Sequence, residues 1–361
     1  MLIILDIIVM ESFNKIKDLY YEIQKQPKLD STYAMIFVYN SEETIRDKEH
    51  FSECIPKTEK NMIVSSFRKV FDYVYPIDGE DKFMKKIIEI KQKHKYIFVY
   101  SMAQNIDGIG RRCLIPLLCD YYNLMNISAS FMASTYSDNK YLMYEFLLHQ
   151  NINCFPKTKY FIEENDFDYM TKLLSKGKWM IKPNDESASI GVYCIDFTHK
   201  SYDEIKSYLQ SYQKKYPIFC IQEFIDGQEV AVPLFWMNNN YYCPGISEVV
   251  FESEQNYLDY DTVMLENYHF QEYIGDLQHQ LIDVSIKVAN AFNFKGISRI
   301  DFRIANKKIY IEDIGANPTI SETNGVNILF REKLLAESSC VYELLVYSKL
   351  IELGLFIPSL Y

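Results

Sequence analysis

The stretch from Gly296 to Gly325, GISRIDFRIANKKIYIEDIGANPTISETNG, constrains the fold most. Two strand-like runs flank the polar turn Ala305-Asn306-Lys307-Lys308, and such a pattern predicts a hairpin. Side chains alternate faces along a strand, so Arg299, Asp301 and Arg303 share one face. The returning run ends in Glu312, Asp313, Gly315, Asn317 and Pro318. The hairpin brings Asp301 beside Glu312 or Asp313, with the Asn317 amide just beyond. A one-residue register decides between the two acids, and it is open at this stage. Carboxylates, an amide oxygen and a nearby cation suit a divalent cation on phosphate, because both want hard oxygen ligands. A surface hairpin with solvated charges is the plain alternative.

The 361 residues are enough for two or three domains, and 48% hydrophobic content is enough for a sizeable core. Net charge is −11 with no basic block, which argues against nucleic acid as a partner. The eight cysteines form no CxxC pair and the six histidines no ligand spacing. Reduced, mostly buried thiols in a cytoplasmic protein are the expectation. The run MLIILDIIVM is short, lacks a basic lead and is interrupted by Asp6. It reads as a buried strand and not as a signal peptide. No run reaches the roughly 18 apolar residues of a membrane span, so no membrane partner is expected.

Residues 1–105 alternate apolar runs with charged helical stretches. Strands are expected at Leu2–Val9, Tyr33–Tyr39, within Phe67–Tyr75, and at Tyr96–Tyr100. Phe13–Gln26 and Asp81–Lys93 have helical spacing. This rhythm predicts an α/β domain with a doubly wound parallel sheet, whose ligands sit beyond the carboxyl ends of the strands. Glu11, at the tip of the expected first strand, is a candidate for a substrate amino group. As an alternative it is a charge favoured at a helix N-terminus. Asp107–Gly110 reads as a turn, Leu114–Tyr122 as a helix and Asn126–Ser130 as extended. Ser137-Asp138-Asn139-Lys140 caps a helix running to about Gln150.

Lys182 closes the strand Lys178–Ile181 and roots the loop Pro183–Val192. This small, hydroxyl-bearing loop lies between two strands and is suited to covering phosphates. GxxxxGK[ST] is absent, so it is not a P-loop. Pro217–Phe224 and Val230–Met237 read as strands. The edge at Gln222–Ile225 offers a backbone donor and acceptor for an adenine ring, and Glu229 offers a carboxylate for ribose hydroxyls. Residues 251–268 suit a mobile lid. Gln278–Phe292 reads as a helix, and one helix from about Phe330 to Leu353 closes the chain.

In order, Asn139-Lys140, WMIKPNDESASIGV, IQEFIDGQE, RIDF and IEDIGANPTIS resemble the ATP-grasp superfamily, most closely its D-alanine–D-alanine ligase branch. The upstream stretch from Asp107 to Leu147 resembles it too, so the likeness covers about residues 96–330. It implies three parts: an N-terminal α/β domain over 1–130, a central subdomain with the phosphate loop over 131–215, and a C-terminal subdomain with the metal site over 216–361. It implies Lys140, Lys182 and Ser189 at the nucleotide phosphates. Gln222, Glu223 and Ile225 would line adenine, and Glu229 would hold ribose. Asp301 and Glu312 or Asp313 would hold Mg²⁺, or Mn²⁺ in its place. The family's Glu-x-Asn falls on Asp313 and Gly315, so Asn317 is the expected replacement ligand. Arg299 would hold the acyl intermediate or an acceptor carboxylate.

The departures concern the substrate end. Ala188 stands at the first serine of the family's phosphate loop, Leu258–Met264 lacks the lid lysine, and the Gly-rich N-terminal substrate loop is missing. The family's Pro-Gly with a following Ser is Pro318-Thr319 with Asn324, a candidate substrate residue. The expected activity is ATP-dependent joining of amino acids or a peptide through an acyl phosphate, with an altered substrate pocket. An ATP-grasp phosphotransferase and a non-catalytic nucleotide-binding protein are the rival readings. Members of this branch are often dimeric, so a homodimer is one expected assembly.

Overall fold

The computed structural model describes residues 2–45, 48–104, 106, 110–161, 171–172, 174, 177–252, 256–265, 267–336 and 340–359. Three sheets organise it. The first is parallel, in the order β2-β1-β3-β4, with β1 Tyr33–Tyr39, β2 Val74–Asp78, β3 Tyr96–Ser101 and β4 Met125–Asn126. Helices cover both of its faces, so its strands read as apolar runs. Met35, Phe37, Tyr39, Phe98 and Tyr100 enter a core with helix Lys57–Val70 and helix Cys340–Glu352. Ala34, Ile36, Val38, Ile97 and Val99 enter the opposite core, with helix Glu80–Lys93 and helix Leu114–Tyr122. This is the doubly wound α/β layer that the strand–helix rhythm predicts.

The second sheet is antiparallel, in the order β5-β8-β6-β7. Its strands are β5 Thr158–Phe161, β6 Lys178–Pro183, β7 Tyr193–Asp196 and β8 Phe219–Glu223. The third runs β12-β11-β9-β13-β14, with β10 on β9. Its strands are β9 Gln228–Met237, β10 Asn240–Tyr242, β11 Ser247–Phe251, β12 Tyr268–Glu272, β13 Ile297–Ala305 and β14 Lys308–Gly315. β13 and β14 form the expected hairpin. Its two turn residues, Asn306 and Lys307, take φ of 50° and 60°. Left-handed values at both positions match the twist of paired strands.

Four expectations change. Leu2–Val9 is not a strand: residues Leu2–Ile23 form one helix. A short, almost wholly apolar run has no clear period that separates strand from helix, and no Gly or Pro interrupts the chain before Pro27. Glu11 therefore sits inside that helix and at no strand tip, and its side chain lies outside the described residues. Phe67 is helical, because Ile63, Val64, Phe67 and Val70 form a buried helical stripe in Lys57–Val70. The strand begins only at Val74, and Pro76 is tolerated because β2 is an edge. The chain closes with two helices, Gly325–Leu334 and Cys340–Glu352, the first ending at left-handed Leu335. Within the expected lid, Tyr260–Leu265 is a helix. The turn expected at Asp107–Gly110 falls largely outside the described residues, which omit 107–109.

Gly191 ends the loop between β6 and β7 at φ +69°. A Cβ there would meet Tyr216 Cζ at 2.6 Å and Pro183 Cγ at 2.7 Å. Gly191→Ala is expected to cost about 3 kcal/mol through overpacking and left-handed strain, read as a lowered urea midpoint. An unchanged midpoint would contradict this packing.

Candidate active site

A cleft of about 1000 Å³ opens where the three sheets meet. That lies near the upper end of ordinary ligand pockets. Lys182 is on its wall because β6 ends there. Its Nζ donates to Gln222 Oε1 at 3.0 Å and lies 3.4 Å from Glu312 Oε1. Lys140 opens the helix Lys140–His149, which Asn139 caps by accepting from Leu142 N. The Lys140 Nζ donates to Glu186 O at 3.0 Å. Both lysines are buried, so neither is an ordinary surface lysine.

Between them lies the phosphate-loop candidate. Ala188 and Ser189 take φ of 49° and 58°. Two consecutive non-glycine residues in the left-handed region are costly, and such strain clusters at ligand sites. Ser189 Oγ donates to Leu258 O at 3.0 Å, so this loop touches the lid segment.

The hairpin resolves the register. Asp301 pairs with Asp313, but Phe302 pairs with Ile311. Glu312 is thus the extra residue of a β-bulge, which re-aims a side chain that strict alternation would turn away. Asp301, Glu312 and Asp313 all line the cleft. Arg299 holds Asp301 with two bonds of 2.7 Å. Burial pushes the Asp301 carboxyl up, and Arg299 offsets this only in part. No described side chain holds Asp313 by a hydrogen bond or ion pair.

Arg303 had no assigned role in the sequence, and it is the most constrained group here. Its side chain is 1% exposed. Nε donates to Glu312 Oε2 at 3.0 Å, Nη2 to Glu229 Oε2 at 2.7 Å and Nη1 to Gly227 O at 3.3 Å. Burial alone would push Glu312 up, but Lys182 and Arg303 outweigh it and hold the carboxyl below its ordinary value. Burial, with the Glu312 charge, pushes Glu229 up to about 8 despite Arg303. The sequence signal for Arg303 was its shared face with Arg299 and Asp301. Glu229 and Gly227 lie too far along the chain to be read as its partners, and Glu312, across the hairpin, is brought to it by the bulge.

The expected adenine residues stand apart from the cleft lining. Gln222 is buried, with its amide spent on Lys182, Tyr144 and Thr158. Glu223 is exposed at the end of β8, and its N–H donates to Lys157 O. Ile225 is half-buried just beyond. Asn324 lines the cleft, but its oxygen accepts from Val326 N and caps helix Gly325–Leu334.

For a metal, the donor set is the test. Among the described residues, no three His, Cys, Asp or Glu side chains converge to hold an ion by themselves. The cleft instead offers Asp301, Asp313 and Asn317. Asn317 Nδ2 donates to Ser101 O at 2.9 Å, while its Oδ1 is buried with no hydrogen-bond partner. An orphaned amide oxygen sharing the cleft with Asp313, open among the described side chains, and with the Arg299-held Asp301 fits a hard cation that completes its shell with phosphate oxygens.

A family profile described as D-ala D-ala ligase C-terminus matches residues 157–346, more than half of the chain. The chain belongs to the D-alanine–D-alanine ligase family. It is accordingly an ATP-dependent ligase with the ATP-grasp fold, as the ordered motifs imply. The D-alanine–D-alanine ligase of Aquifex aeolicus is 22% identical over 274 residues, covering 75% of this chain and 88% of its own. The D-alanyl-alanine synthetase A of Vibrio cholerae superposes with a TM-score of 0.68 at 14% identity, covering 88% of this chain and 99% of its own. The VanG D-Ala:D-Ser ligase of Enterococcus faecalis does so with a TM-score of 0.62 at 14% identity, covering 90% and 100%.

Two predictions follow from the buried charges. Arg303→Met strands Glu229 and Glu312, and is expected to cost about 3–5 kcal/mol, read by urea denaturation. Loss below 1 kcal/mol would mean that Arg303 is not their main partner. Glu59 lines the cleft with Oε1 buried and unpartnered among the described residues, and burial raises it from 4.5 to about 7. Its contribution to stability is full below the unfolded value and is lost as pH rises through the folded one. Glu59→Gln is expected to remove up to about 3 kcal/mol of pH-dependent stability between pH 4.5 and 7. Parallel slopes for both proteins would refute this.

Proposed function

We propose that the protein joins two amino acids, or an amino acid and a peptide, by activating a carboxylate with ATP. One observation carries this reading. Lys140, Lys182 and the left-handed Ala188–Ser189 turn share a single cleft with Asp301, Asp313 and the orphaned Asn317 oxygen.

Lys140, Lys182 and Ser189 bind and orient the phosphates. Lys182 gives up its contact with Glu312 in exchange for a phosphate oxygen. Glu229, which lines the cleft, receives the ribose hydroxyls, whereas Gln222, Glu223 and Ile225 lie outside the cleft lining and are not assigned to the base. Asp301, Asp313 and Asn317 would hold Mg²⁺, with Glu312 kept close by Lys182 and Arg303. The cation, when bound, draws charge from the transferring phosphoryl group. A substrate carboxylate attacks the terminal phosphorus, giving an acyl phosphate and ADP. The amine then attacks the acyl carbon, losing a proton and expelling phosphate. Arg299 offsets the oxyanion at that carbon. The 184–190 loop and the Leu258 segment, already in contact through Ser189, exclude water from the acyl phosphate.

The named relatives make D-amino acids the first substrates to test, although Ala188 and Thr319 depart from the family pattern. All eight cysteines are free, which supports a reducing cytoplasmic setting.

Phosphate release from Mg·ATP is expected to require a pair of substrates, tested across both chiral series. Mass spectrometry is expected to find a product at the summed mass minus water. Asp301→Asn and Lys182→Ala are expected to lower turnover by on the order of a thousandfold with the fold retained. Near wild-type rates in either variant would overturn the site assignment.

A further inference from the structure

We infer that Arg111 is a positioning residue that clasps the phosphate loop to the parallel-sheet domain and so holds Lys140 in place. The inference rests on reading this cleft as a nucleotide site. Arg111 precedes helix Leu114–Tyr122, and only 6% of its side chain is exposed. Its guanidinium makes a close ion pair with Glu53, and Nη1 donates to Glu186 Oε2 at 2.7 Å. Glu53 ends the short helical turn Lys48–Glu53 of the parallel-sheet domain, whereas Glu186 belongs to the loop between β6 and β7. A second link runs the same way, since Ser187 Oγ donates to Glu53 Oε1 at 2.5 Å. His50 Nε2 lies 3.3 Å from Glu186 Oε2.

The clasp reaches the nucleotide lysine through the loop backbone. Glu186 presents its side chain to Arg111 and its carbonyl to Lys140 Nζ. Two residues earlier, Asn184 accepts from the backbone N–H of Lys140 and of Tyr141 at 2.9 Å each. The loop therefore carries force from Arg111 to both ends of Lys140. Burial works against the Arg111 charge, but the two carboxylates outweigh it and raise its pKa. The planar guanidinium can serve both acids at once, which an ammonium cannot do with the same geometry. The strained turn at Ala188–Ser189 needs such an anchor, because a loop left to itself relaxes out of the left-handed region.

The test uses the full chain, Mg·AMP-PNP as the nucleotide probe, and amide hydrogen exchange over residues 184–191. Arg111→Met is expected to weaken AMP-PNP binding by on the order of tenfold or more and to raise exchange in the loop, with strand 178–183 still protected. Arg111→Lys should recover part of both. Arg111→Met also strands two buried acids, so Arg111→Met with Glu53→Gln and Glu186→Gln is the deciding variant. It should melt near the wild type and still bind AMP-PNP weakly. Wild-type affinity and exchange in that variant would overturn the clasp, as would weakened binding with unchanged loop exchange. Absence of AMP-PNP binding by the wild type would overturn the nucleotide reading and the clasp together. Failure of the ligase reading shows differently, as normal AMP-PNP binding with no product from any substrate pair.

Discussion

The guanidinium of Arg303 is the constraint on which the catalytic end of this molecule depends. A charge this deep in a protein costs several kcal/mol unless it is paired and hydrogen-bonded. Here the pairing sets geometry. Glu229 comes from β9, Glu312 from β14 and Gly227 from the turn before β9, so one planar group fixes three backbone segments. Through Glu312 the network reaches Lys182 on β6, and so joins the third sheet to the second. A Phe224 ring lies under the guanidinium with its centroid 5.4 Å away, closing the remaining side without competing for a donor. The site is rigid where it is charged.

The bulge at Glu312 does related work on the hairpin. A regular pairing would put neighbouring acids on opposite faces and leave one in the core. One extra residue turns both toward the cleft, at the cost of a broken ladder between Asp301 and Phe302. The acids then divide by partner. Glu312 is saturated by cations of the chain, Asp301 is held by Arg299, and Asp313 stays open. Asn317 adds a buried oxygen with nothing to accept. Unsatisfied acceptors beside saturated ones are the expected arrangement for a site that must be preorganised yet still take a cation and phosphates.

Much of this was legible in the chain itself. The doubly wound domain, the hairpin and helices such as Leu114–Tyr122 follow from local period and turn chemistry, which act over a few residues. What escaped the reading lies where local rules fall silent. Residues Leu2–Ile23 form a helix although the leading apolar run shows no decisive period, and from Phe13 on the helix buries Phe13, Ile16, Leu19, Tyr20 and Ile23 at helical spacing. Arg303 and Arg111 each need a partner that only the fold brings close, Glu229 at 74 residues and Glu186 at 75. The bulge was invisible for the same reason, since register belongs to a pair of strands. Gln222 and Asn324 each spend the amide oxygen on the protein, which no local pattern announces.

The departures from the family pattern stand among the charges that line the cleft. Position 188, a serine in the family's phosphate loop, is alanine here, and Ser187, one residue earlier, donates its hydroxyl to Glu53. That acid, Glu53, is already neutralised by Arg111. A positive charge at this corner is thus supplied by the chain, so it need not come from a bound amino group. Glu59, farther along the same wall, has an oxygen that nothing among the described residues satisfies. Moving the unpaired carboxylate moves the point at which a cationic group gains most. Lys140, Ser189 and Lys182 do not depend on Glu59: Lys140 donates to the Glu186 carbonyl, Ser189 to the Leu258 carbonyl, and Lys182 to the Gln222 side chain.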